Sequence, residues 1–151
     1  MLRIVLAAVH LIALGLGLGA VLSRGSALRE PLAHGALRRV FRFDAMWGIA
    51  AALWLSTGLW RYLGATEKAT AYYDGNHLFL TKIALFVAII GLEIWPMITL
   101  IRWRGALGRG KAAEAVVDVR AARRIARISH IEAALIVVMV FLATAMARGF
   151  G

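Results

Sequence analysis

The sequence predicts an all-α integral membrane protein, a bundle of four transmembrane helices, and three observations carry that prediction. The chain of 151 residues is 62% hydrophobic and only 17% charged, where a soluble domain carries about 25% charge. Four apolar segments reach the length of roughly 20 residues that a helix needs to cross a bilayer, in which no water satisfies exposed backbone groups. The basic residues, which give a formal net charge of +10, lie between those segments. That placement points them at anionic lipid headgroups rather than nucleic acid. With 0 cysteines, disulfide scaffolds, thiolate metal sites and cysteine nucleophiles are excluded.

The first span runs from Ile4 to Leu22. It reads as a retained helix rather than a cleaved signal peptide. Its apolar stretch exceeds the roughly 7–15 residues of a signal core, His10 interrupts it, and Arg24 and Arg29 follow it as anchors. Its Ala13, Gly15, Gly17 and Gly19 offer a smooth face for close helix approach, not a nucleotide loop, since no strand precedes them.

The second span runs from Ala45 to Leu63, introduced by a piece from Leu37 to Phe43 that Pro31 and Gly35 set off. The third runs from Leu78 to Ile101 and contains Pro96, which removes a backbone donor and marks a kink or a ligand position. The fourth runs from Ile128 to Ala147. Ala112 to Arg127 has no Gly or Pro, so it should extend that helix beyond the bilayer, with Val116, Val119 and Ile125 resting on the membrane surface. Gly105, Gly108 and Gly110 mark the break before it.

Counting Lys and Arg orients the chain. The first loop holds Arg24, Arg29, Arg38, Arg39 and Arg42, and the third holds Arg102, Arg104, Arg109, Lys111, Arg120, Arg123, Arg124 and Arg127. The second holds only Lys68, against Glu67 and Asp74. Loops one and three are therefore expected in the cytoplasm, with both termini on the outer side of a bacterial inner membrane.

Titratable groups within a span cost about 2.5–3.5 kcal/mol on insertion scales and usually face the interior. They fall into two layers. His10, Lys82, Arg61 and His77 lie towards the outer side, in the same layer as Trp60, while Asp44, Glu93, His130 and Glu132 lie towards the cytoplasm. Lys82 and Glu93 are eleven residues apart, close to three turns, so they share one side of the third span. His10 is either a ligand for haem iron, with His77 or Met146 as second ligand, or a histidine hydrogen-bonded between helices. Trp47, Trp60, Trp95 and Trp103 fall near the interfaces as anchors, and mid-span Trp54 either is core or lines a planar cofactor.

Three stretches carry a resemblance: His10-Leu11-Ile12 with Arg42 to Gly48, Trp60-Arg61-Tyr62 through Glu67-Lys68 and Tyr72-Tyr73 to Lys82, and Met146 to Gly151. Together they resemble the bacterial membrane proteins grouped as domain of unknown function 2214, which implies a small multi-pass inner-membrane protein. His10 and Lys82 are also similar to two positions of the HemJ-type protoporphyrinogen oxidases. That second likeness implies binding of b-type haem or porphyrin. On a redox reading of the chain, His10 is then the axial ligand, Lys82 and Arg61 pair with the propionates, and Trp54 or Trp60 packs on the ring. Glu93-Ile94-Trp95 stands where those oxidases carry an aromatic–histidine pair, so binding rather than the oxidase reaction is what it implies.

Three functions stay open at this point. One is a haem- or porphyrin-binding redox protein. Another is an oligomeric permease or proton-coupled carrier using Lys82, Glu93, Asp44 and Glu132. The third is a non-catalytic subunit that docks a membrane-complex partner through the small-residue face of the first span.

Overall fold

A computed structural model describes residues 1–30, 34–64 and 70–150. The expectations resting on Pro31, Glu67, Lys68 and Gly151 lie outside these residues. Among the described residues the chain is all-helical: α1 Leu2–Ala27, α2 His34–Leu63, α3 Thr70–Asp74, α4 His77–Gly108, α5 Ala113–Val116 and α6 Val119–Ala147. Three of them, α1, α4 and α6, are long and apolar enough to cross a membrane. α2 has the length, with 30 residues, but carries Arg38, Arg39, Arg42, Asp44 and Arg61 along it.

Every long helix outruns its apolar segment at the same end. α1 continues past Leu22 to Ala27, and α2 begins at His34 rather than Ala45. α4 continues past Ile101 to Gly108, and α6 begins at Val119 rather than Ile128. The apolar run marks the length that needs hydrocarbon; the backbone continues as helix wherever its side chains still find packing. The extensions gather most of the arginines at one end, called here the basic end. At the other, aromatic end, Asn76 starts α4 by accepting from the Leu78 and Phe79 amides at 2.9 and 3.1 Å.

The extension of α6 is shorter than the sequence predicts. α5 stands apart, and Asp118 caps α6 by accepting from the Arg120 amide at 2.8 Å. Its apolar residues do not lie flat on a surface either. Ile125 is fully buried with Leu37, Val40, Leu100, Trp103 and Ala122 in a cluster at the basic end, while Val119 is exposed. α4 runs unbroken through Pro96 and through Gly105 to Gly108. It turns at Gly110, whose φ of +79° is the left-handed conformation that glycine tolerates.

α1 is the central packing element, lying along α2 on one side and α6 on the other, while α4 packs on α6 and barely meets α2. A second cluster fills the middle, with Ala13, Ala20 and Val21 of α1 against Trp47 and Trp54 of α2, Ile89 of α4 and Ile136 of α6. Trp47 and Trp103 are therefore core rather than interface anchors; of the tryptophans only Trp60 is largely exposed, at 56%. Of the small residues of α1, Ala13 and Gly17 carry the close approach: a Cβ on Gly17 would stand 3.0 Å from the Trp47 ring, whereas Gly15 and Gly19 face open space.

Candidate functional site: a buried arginine ringed by carboxylates

Arg24 sits on α1 between the two apolar clusters and is wholly shielded from solvent. A guanidinium has five N–H donors in a fixed fork, and here each has a partner. Nε donates to Ser129 Oγ at 3.0 Å. Nη1 donates to Asp44 Oδ1 at 3.0 Å and to Glu93 Oε1 at 2.5 Å. Nη2 donates to Glu93 Oε2 at 2.7 Å and to Glu132 Oε2 at 2.9 Å. Asp44 comes from α2, Glu93 from α4, and Ser129 and Glu132 from α6, so one side chain ties α1 to three other helices.

The carboxylates differ in access. The side chains of Asp44 and Glu93 keep 14% and 18% exposure, and Glu132 keeps 0%. Glu132 Oε1 is buried with no hydrogen-bond partner. Asp44 also meets Arg104, half-exposed, at 3.8 Å. Two guanidinium charges thus face three carboxylates. His130 borders the cluster, its Nδ1 bonded to the Ala126 carbonyl at 2.6 Å. Its ring lies against Gly25, where a Cβ would come within 2.7 Å.

The four groups of the predicted cytoplasmic layer are thereby brought to one place. The sequence reading missed the cation at their centre, because it ended the first span at Leu22 and counted Arg24 as a flanking anchor. A signal was present: His10, Ala13, Gly17, Val21 and Arg24 recur at three- and four-residue spacing, which is one face of one helix. That face is buried at every one of those positions.

His10 is the other end of the same stripe, fourteen residues or about 21 Å away at 1.5 Å per residue. Both of its ring nitrogens are engaged by α2. Trp54 Nε1–H donates to Nε2 at 2.8 Å, which requires that nitrogen to be bare. Nδ1–H then donates to Thr57 Oγ1 at 2.9 Å, and Thr57 passes its own proton to the Leu53 carbonyl at 2.6 Å. Gly58 lies against the ring, a Cβ there falling 3.1 Å from Cε1. These residues do not fit a haem: the lone pair an iron would need is taken by Trp54, and one side of the ring is covered by backbone.

The remaining candidates spread out. Lys82 and Arg61 bring positive charge to the His10 layer. Trp54 is core, edge-on to Phe86 at 5.4 Å between ring centres. Trp60 and His77 are exposed, and Met146 is buried, its carbonyl accepting from the Tyr72 hydroxyl at 3.5 Å. Tyr62, Tyr73 and Phe79 form an aromatic knot, Tyr62 stacking on Phe79 at 5.4 Å and donating to Asp74 at 2.6 Å.

The family model described as "Predicted membrane protein (DUF2214)" matches residues 2–151. The chain belongs to the DUF2214 family. No curated protein and no solved structure matches it. The stretch from Trp60 to Lys82, which carries much of the DUF2214 resemblance, supplies three members of the aromatic knot and the Asn76 cap of α4. Membership thus accompanies a membrane location and leaves the chemistry to the geometry at Arg24.

Proposed function

We propose that this DUF2214 protein spans the bacterial inner membrane four times, with both termini outside, and that the Arg24 cluster holds an exchangeable proton for a proton-coupled carrier or relay. α2 counts as the fourth span on this reading because its Asp44 is neutralised from α1 and its Trp47 and Trp54 are covered by the same helix. The observation that carries the proposal is the fully buried, unpartnered Oε1 of Glu132 beside a guanidinium with no donor left to give. An ionised carboxylate oxygen in that position is heavily penalised. Three carboxylates against Arg24 and Arg104 leave one negative charge, and one proton on Glu132 cancels it. Glu93, held by the same Nη2 and partly exposed, is the group through which that proton would leave.

Four spans are few for a path across the membrane, so transport on this reading involves a homo-oligomer or a membrane-complex partner. The test is infrared difference spectroscopy on protein reconstituted in vesicles, paired with proton uptake reported by an enclosed pH dye. A carboxylic acid C=O band that shifts in D2O and disappears in Glu132→Gln, together with loss of uptake, is expected. If folded wild type has no such band, all three carboxylates are ionised, the cluster is a clamp between helices, and the proposal fails.

A further inference from the structure

At the basic end, between α2 and α4, lies a cavity of about 260 Å³ lined by Leu37, Arg38, Phe41, Arg104, Leu107 and Gly108. Its wall combines two guanidinium-bearing side chains with apolar ones. Arg104 is held in place rather than free to sweep. Its Nη2 donates to the Phe41 carbonyl at 3.0 Å, and its Cζ lies 5.1 Å from the centre of the Phe41 ring. A fixed arginine beside a second one is suited to phosphate oxygens, which accept two parallel N–H bonds from one fork. Basic pockets between membrane helices bind anionic headgroups on the same principle.

We infer that this cleft is a binding site for a phosphate group carrying one negative charge, most naturally the phosphodiester of an anionic lipid. The apolar part of the lining favours the lipid over a free ion. Phe41 and Leu107, both partly exposed, would cover the glycerol and first methylenes, which inorganic phosphate lacks. α2 and α4 make only slight contact with one another, so a lipid entering the cleft displaces little packing between them. The site stands apart from the proposed proton chemistry, which it touches only through Arg104 and Asp44.

Native mass spectrometry of the full chain would read it. The probes are phosphatidylglycerol, phosphatidylcholine and inorganic phosphate, added to wild type, Arg38→Gln, Arg104→Gln and the control Arg120→Gln. Arg120 is exposed at the same end and does not line the cleft. Phosphatidylglycerol should be retained over phosphatidylcholine, about tenfold more weakly in Arg38→Gln, which is about 1.4 kcal/mol, and unchanged in Arg120→Gln. Arg104→Gln should weaken it as well, with thermal unfolding in detergent showing that the variant is folded. Retention of inorganic phosphate alone, lost in Arg38→Gln, would support the same site with a soluble ligand. No retention, or equal loss in Arg120→Gln, would overturn it by leaving only diffuse attraction to the basic end.

Discussion

Arg24 is tightly constrained, because its neighbours satisfy all five of its donors and its fork holds both oxygens of Glu93. Removing one partner of a buried ion pair costs about 3–5 kcal/mol, since it strands the remaining charge. Arg24→Met should therefore lower thermal stability in detergent sharply, and Arg24→Met combined with Glu93→Gln should recover part of that loss. Arg24→Lys should fall between, since an ammonium has three donors and no fork. A melt of Arg24→Met identical to wild type would show that the cluster is not what joins the helices. Gly25 gives a sharper local test. A Cβ there meets the His130 ring at 2.7 Å, so Gly25→Ala should destabilise wild type and be much better tolerated in His130→Ala. Additive effects in that double-mutant cycle would mean that the ring moves aside freely. The acidic members of this site are legible in the sequence, because a titratable residue inside an apolar run announces itself. Arg24 is not, because an arginine two residues beyond an apolar run looks the same whether it reaches for headgroups or turns inward.

At the scale of elements the sequence shows which segments are helices and where their apolar parts lie, but not where the helices end. Hydropathy measures the need for hydrocarbon, whereas α2 and α6 begin eleven and nine residues before their apolar runs because Leu37, Val40, Ala122 and Ile125 pack on one another. The small residues of α1 show the same limit. Periodicity identifies a smooth helix but not which of two adjacent stripes is used, and the structure buries Ala13 and Gly17 while Gly15 and Gly19 face outward. Gly17→Leu should thus push α1 off Trp47 and lower the melting temperature, whereas Gly15→Leu and Gly19→Leu should leave the isolated protein as stable as wild type. If those two variants instead lose a co-purifying protein, the outward stripe is a docking face. Trp54→Phe belongs here too. It keeps the packing of α2 on α1 and deletes only the indole donor to His10, which should cost about 1–3 kcal/mol through the orphaned ring nitrogen. A stability equal to wild type would show that water or another donor reaches the ring.

For the whole molecule, charge and aromatic content separate along the helix axes. Arg29, Arg38, Arg39, Arg42, Arg102, Arg104, Arg109 and Lys111 flank the basic end, joined by the arginines at the start of α6, while Tyr62, Tyr72, Tyr73 and Asp74 occupy the other. Assigning Arg24 to the interior removes it from the count of flanking charges without reversing the asymmetry. Membranes retain Lys- and Arg-rich loops on the cytoplasmic side, so the basic end should face inward, and the proton on Glu132 and the phosphate cleft would both be reached from the cytoplasm. Because the chain has no cysteine, single cysteines report accessibility without background. Gly75→Cys, exposed between α3 and α4, should react with a membrane-impermeant maleimide in cells whose outer membrane alone is opened. Ala112→Cys, exposed between α4 and α5, should react only after the inner membrane is breached. The opposite pattern would invert the protein and place the Arg24 cluster near the outer face, where a carrier would load from the periplasm. Equal labelling of both positions would mean that α4, the helix between them, does not separate them across the bilayer as proposed.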